Sequence, residues 1–250
     1  MKTMSHLLIV VVSIATFAKD APTTREYICH HTTDEQIQID GTITESEWAN
    51  APWSREFVDI VGNPSSPKPP FATRIKMLWS DTTLYIAAHL EETKIAAKLT
   101  THDDDLYTEN AFEVFIDPDG DGKNYCELEY NALNASMDLL MDKPYRERGK
   151  ADKSYELQGM KTAIHVDGTL NDSKDTDRGW DIEIAIPFGA LKSISNVDHP
   201  RAGDQWRFNF ARAEYLQPEK ATWSVWSPHG RVDMHVPSRF GIVRFATKAP

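Results

Sequence analysis

AFEVFIDPDGDGKNYCELEYNALN, residues 111–134, reads as a strand, an aspartate-rich turn and a returning strand. Strand period places Phe112, Val114 and Ile116 on one face, and Ala111, Glu113 and Phe115 on the other. In the return, Cys126, Leu128, Tyr130 and Ala132 share a face, opposed by Tyr125, Glu127, Glu129 and Asn131. Pairing Ile116 with Asn124 across the turn sets Glu113 opposite Glu127, and Ala111 opposite Glu129. The hairpin then carries one apolar face and one face with three carboxylates and an amide, and Glu113 is expected on the solvent side of the sheet.

The same alternation recurs on both sides of the hairpin. It is visible in RIKMLW (74–79), LYIAAHLE (84–91), MDLLMD (137–142), MKTAIHV (160–166), GWDIEIAIPF (179–188), QWRFNFARAEY (205–215), TWSVW (222–226) and GIVRFA (241–246), with turn residues between them. IQIDG (37–41) reads as the opening strand. Thr44 and Glu47 have capping-box spacing, which predicts a short helix from about Glu45 to Asn50. GNPSSPKPP (62–70) is a loop that no regular element crosses. Short strands without long helices predict an all-β fold, an antiparallel two-sheet β-sandwich with few short helices. One domain is expected over 37–247, after an N-terminal lead at 19–36.

The first eighteen residues, MKTMSHLLIVVVSIATFA, have the basic start, short apolar run and small-residue exit of a secretory signal peptide cleaved near Ala18. The apolar run is too short to span a bilayer, and no cysteine at the exit marks a lipoprotein. A secreted or periplasmic protein without membrane insertion after cleavage is expected. The chain of 250 residues has a formal net charge of -11, so a nucleic acid is a poor partner. Cys29 and Cys126 either pair in an oxidising compartment or stay as two thiols; their spacing leaves both open.

Three close carboxylates raise the possibility of a glycoside hydrolase using Glu113 with Glu127 or Glu129, since that chemistry needs two acids at a defined separation. Acids across a strand pair are also commonly solvated or matched by cations. The turn DPDGDG sets Asp117, Asp119 and Asp121 at alternate positions before Gly122. This resembles the first half of a calcium loop, yet a twelve-residue loop would need Glu where Leu128 stands. Asp-Gly pairs also form turns without metal, so a structural calcium and a plain turn both remain open.

MLWSDTTLYIAAHL, ENAFEVFIDPDGD, YCELEYNALN, GWDIEIAIPF, GDQWRFNFAR, WSPHGRVDMHVPSRFG and IVRF follow one another in an order that resembles a family 9 carbohydrate-binding module in its stand-alone secreted form. The resemblance spans about residues 37–247. It implies a β-sandwich that holds sugars without catalysis, that contains calcium, and that cooperates with secreted glycoside hydrolases in xylan- or cellulose-type breakdown. In the family two tryptophans clamp the sugar; their positions here hold Tyr107 and Met234. The strand Glu that binds hydroxyls is Glu113. An Arg two residues before the strand Asn, here Asn131, is replaced by Glu129, and an Asn of the last loop by Arg231. With His235 beside Met234, these are the expected sugar-binding residues, and Tyr107 and Glu113 keep the family's chemistry.

Other residues have simpler readings. Tyr145 and Arg146 lie in a polar loop near the implied site. Trp48, Trp53, Trp79, Trp180, Trp206 and Trp226 read as core aromatics. The histidines show no zinc-ligand spacing beyond the adjacent His30 and His31. Ser227, His229 and Asp233 are the residue types of a triad, but they are crowded around Pro228 without a nucleophile elbow. A haem held by Met234 and His235 is a third alternative. In an extended chain the two would point to opposite faces, which argues against one shared iron.

Overall fold

The computed structural model describes residues 23–33, 36–195, 199–217 and 220–248; the expected signal peptide at 1–18 lies outside them. The strands are β1 (Glu26–His31), β2 (Val58–Asp59), β3 (Thr73–Trp79), β4 (Thr83–Glu91), β5 (Ala111–Asp117), β6 (Tyr125–Tyr130), β7 (Ser136–Met141), β8 (Ala151–Asp152), β9 (Lys161–Asp167), β10 (Gly179–Pro187), β11 (Gln205–Gln217), β12 (Lys220–Val225) and β13 (Gly241–Ala246). Two helical segments, α1 (Ser46–Asn50) and α2 (Phe188–Leu191), complete the regular structure with a few 3-10 turns. The expected helix near residue 45 is present, but Glu45 occupies its N-cap and makes no side-chain capping bond, so Thr44 plays no such part.

Hydrogen bonding runs in one path, β8-β7-β6-β5-β11-β13-β1-β3-β4-β10-β9, with β12 attached to β11 and β2 to β12. The path curls over so that β5 and β6 face β4 and β10, making the predicted sandwich. Phe112, Val114, Ile116, Cys126 and Leu128 from one leaf meet Leu84, Ile86, Ile182 and Ile184 from the other in a shared buried core. β11 bridges the leaves: its first half pairs with β13 and its second half with β12, while β5 lies along its other edge.

Two expectations fail at the N-terminus. Residues 37–41 form no strand, whereas β1 lies inside the presumed lead and pairs in parallel with β13 and with β3. Tyr27 and Cys29 point into the core and Ile28 points out, 50% exposed. The lead therefore closes the curl between the leaves. Both cysteines are buried and free, so no pairing is present.

Trp48, Trp79, Trp180, Trp206 and Trp226 are buried as expected. Trp53 is not: it is 36% exposed, and its ring carries Lys76 Nζ at 4.8 Å and the Arg74 guanidinium at 5.4 Å. The ring serves as a π-face for two neighbouring cations rather than as core filling.

Candidate functional site

The hairpin faces are those that strand period predicts, but the register differs by two residues. Ile116 pairs with Cys126, not Asn124, which sets Glu113 opposite Glu129 and Phe115 opposite Glu127. The turn is longer than assumed because its backbone is used up locally. Gly120 and Gly122 adopt positive φ and donate their N–H groups to Asp117 Oδ1 and Oδ2, both at 3.0 Å. A carboxylate at the strand end thereby ties the loop shut.

Reading across the leaf, one row runs Val225, Ala211, Glu113, Glu129, Met137, and the next places Phe115, Glu127 and Leu139 side by side. No cation stands in either row. Ala211 and Ala213 are small, and above them opens a cavity of about 460 Å3. Glu113, Glu127, Glu129, Met137 and Leu139 form its floor. Its walls come from Asp105 and Tyr107 before β5, Tyr145 and Lys153 around β8, Trp223 on β12, and Met234 and His235 before β13. The three acids are not on the solvent side: they are 1%, 5% and 2% exposed. Tyr107 and Tyr145, by contrast, are exposed rings at the mouth.

Burial dominates the electrostatics. It pushes Glu113 well above the usual carboxylate range, with the neighbouring charges of Glu129 and Glu127 adding to the effect. Glu127 rises likewise through burial and Glu129. Burial raises Glu129 to about 8, against the backbone N–H of Tyr107 and the charge of Lys153. Lys153 is bound to Asp105 at the rim rather than to the floor. His235 is held neutral, its value lowered by burial to about 4. Its Nδ1 meets the Tyr125 hydroxyl at 3.0 Å, its Nε2 lies 3.7 Å from Glu127, and the Tyr145 ring packs edge-on against it.

The expected site residues divide. Tyr107, Glu113, Glu129, Met234 and His235 come together around the cavity. Asn131 does not line it: its Nδ2 donates to Leu99 O and Glu109 Oε1, and its Oδ1 accepts from the N–H groups of Leu133 and Ala135. With its capacity used inside the fold, it serves the bend after β6 and cannot bind a sugar. Arg231 is exposed and also lies off the cavity lining. Tyr145 contributes a wall, while Arg146 braces the loop through Asp233 and His235 O.

Trp223 is the wall residue that sequence reading passed over. It sits in the row Ala111, Ala213, Trp223, on the Glu113 side of the sheet. Two tryptophans three apart on one strand, Trp223 and Trp226, must face opposite ways, and that spacing was the available signal.

The triad residues do not assemble. His229 bonds through Nδ1 to the backbone oxygen of Asp233, and Ser227 Oγ donates to Arg239 O. The haem arrangement needs a correction. Residues 231–236 are bends rather than a strand, so Met234 and His235 line the same cavity instead of opposite faces. His235 nevertheless has both ring nitrogens engaged by Tyr125 and Glu127. Asp117, Asp119 and Asp121 do bring oxygens within 4.8 Å of one another.

A family model described as carbohydrate family 9 binding domain-like matches residues 39–248. The chain belongs to that family. Its members are non-catalytic binding modules, so the paired-acid hydrolase reading of Glu113 with Glu127 or Glu129 falls away; all three acids also rise from one floor rather than flanking a bond from two sides. Several solved structures share the fold. One is a Bacteroides uniformis protein described as a candidate carbohydrate-binding protein, at TM-score 0.68 and 16% identity, covering 89% of this chain and 100% of that one. Another is a family 9 carbohydrate-binding module from Caldicellulosiruptor kristjanssonii in complex with cellotriose, at TM-score 0.61 and 17% identity, covering 90% of this chain and 95% of that one. The same module in complex with glucose gives TM-score 0.61 and 16% identity, covering 90% of this chain and 97% of that one. No curated protein sequence matches the chain significantly.

Proposed function

We propose that this family 9 module binds carbohydrate in the cavity above Glu113, Glu127 and Glu129, with its sugar rings against Tyr107, Tyr145 and Trp223. The observation that carries this is the cavity itself: a polar floor beneath partly exposed aromatic rings, on the outer face of the hairpin. Flat pyranose faces stack on such rings, and hydroxyls bond to the acids between them. The relatives in complex with cellotriose and glucose support a saccharide of this kind. The protein is exported to the periplasm or outside the cell after loss of residues 1–18, and it works beside glycoside hydrolases on xylan- or cellulose-type polysaccharide. A binder without catalysis helps such enzymes by raising their local concentration on the substrate.

A structural calcium is proposed at Asp117, Asp119 and Asp121, whose hard oxygens suit that ion. It would offset charge at the end of β5. A glycan array probed with the exported chain tests the main reading, with Tyr145→Ala as control. Binding to at least one glycan, lost in the variant, is expected; an array without signal overturns it. The intact mass of the exported protein checks cleavage after Ala18.

A further inference from the structure

The polar groups of the cavity floor are the carboxyls of Glu113, Glu127 and Glu129, with no cation among them. Both oxygens of Glu113 and Oε2 of Glu129 are buried without a hydrogen-bond partner. Buried carboxylate oxygens are normally satisfied, because leaving one unpaired forfeits the hydration it gave up. Such oxygens, aimed into a cavity, are matched to something that enters it.

The charge balance says what that is. Asp105, Glu113, Glu127 and Glu129 line the space, against a single lysine among the described lining residues, and that lysine is held by Asp105 at the rim. His235 is neutral and faces Tyr125 and Glu127. A neutral sugar hydroxyl brings no charge, so it leaves any negative charge on Glu113, Glu127 and Glu129 unbalanced. A protonated primary amine brings three donors, no acceptor and the missing positive charge. The mouth suits the same ligand, since Tyr107, Tyr145 and Trp223 present faces for a pyranose ring and negative π-surfaces for a nearby cation.

We infer that the ligand is an amino sugar: a saccharide carrying an unacetylated, protonated amine, seated with its ammonium over Glu113 and Glu129 and its ring against the aromatic walls. The inference rests on the carbohydrate-binding reading of this cavity and narrows it to one substrate class. N-acetylation removes both the charge and two of the donors, so acetylated sugars bind more weakly, as neutral ones do. Burial leaves protons on the floor at neutral pH, and an arriving ammonium displaces one to the buffer. The other titratable groups around these acids are Asp105, Tyr107, Tyr145, Lys153, Tyr215 and His235.

Calorimetry on the exported chain decides the matter, using a β-1,4 glucosamine tetramer, its fully N-acetylated counterpart, cellotetraose and spermidine. The glucosamine tetramer should bind at least about tenfold more tightly than either neutral tetramer, with proton release visible on changing the buffer. In Glu113→Gln and Glu129→Gln the preference should fall below about threefold. Equal binding of cellotetraose overturns the amine preference and leaves the sugar-binding reading standing. Absence of binding by every tetramer overturns both. Spermidine binding as tightly as the glucosamine tetramer overturns the sugar half of the inference. The ligand comparison on the unmodified protein decides each of these even where a variant fails to fold.

Discussion

Glu113 and Glu129 stand directly opposite each other across the β5–β6 ladder, both almost fully buried, and Glu113 has no hydrogen bond to either oxygen. Like charges at such a position destabilise a sheet, so ionising the pair is a cost to the fold, offset by protonation or by a cationic ligand. Glu113→Gln keeps the shape and removes the charge. It should stabilise the ligand-free protein by about 1–2 kcal/mol at pH 8, the size usual when a strained binding site is relaxed. The gain should vanish near pH 5, where Glu113 is protonated in any case. Chemical denaturation at the two pH values measures this.

The acids predict the pH profile of stability. Glu113 and Glu127 are held well above their ordinary range by burial and by the charge of Glu129, Glu129 is raised to about 8, and burial raises Asp117, Glu92 and Glu183 to about 7. A carboxylate whose folded value is raised contributes its stability fully below the unfolded value and loses it as pH rises through the folded one. His229 and His235 work the other way. Burial lowers both to about 4, so their contribution is full above the ordinary imidazole value and is lost as pH falls toward 4. The six raised carboxylates outweigh the two histidines, so thermal melts should show Tm highest at about pH 4–5 and falling as pH rises toward 8. A profile that rises steadily to pH 8.5 contradicts the buried acids.

How much of this was legible in the sequence follows from what strand period can carry. Alternation assigns faces without knowing partners, so Glu113, Glu127 and Glu129 were placed together correctly although the register was two residues off. Register depends on the turn, and the turn is shaped by Asp117 gripping two glycine N–H groups, which no periodicity reports. β1 was missed because Ile28 and the two histidines break the alternation of Tyr27 and Cys29, and its parallel pairing is long-range. Burial of the acids was equally invisible. It comes from Tyr107, Tyr145 and Trp223, which arrive from three separate parts of the chain.

The aspartate turn separates a structural role from a metal-binding one. Asp117 is 1% exposed and accepts from the N–H groups of Gly120 and Gly122, whereas Asp119 and Asp121 are exposed. Asp117→Ala should lose about 1–2 kcal/mol with or without chelator, since two part-buried N–H groups lose their acceptor. Asp119→Asn and Asp121→Asn should be nearly neutral in chelator and should abolish the calcium-dependent rise in Tm. Elemental analysis with thermal shift reads both. A Tm indifferent to calcium in the unmodified protein reduces the group to a turn.

The aromatic mouth makes the sharpest prediction about binding. Tyr107 is 44% exposed and Tyr145 51% exposed, so removing either ring opens little of the core. Trp223 is half-buried against the small Ala213 row, and it stands on the same face as Glu113. A ring stacked on one aromatic face gains about 0.5–1.5 kcal/mol, so each truncation should weaken saccharide binding by roughly three- to tenfold. Tyr107→Ala and Tyr145→Ala should do this with Tm nearly unchanged, whereas Trp223→Ala should also lower Tm through the packing it gives up. Oligosaccharides longer than one residue should bind more tightly than a single sugar, because the three rings come from different parts of the cavity wall. Titration of monosaccharide and tetrasaccharide into the three variants measures both effects. If all three bind like the unmodified protein, the ligand sits elsewhere on the sandwich, and the acids under these rings are a cost without a matching ligand.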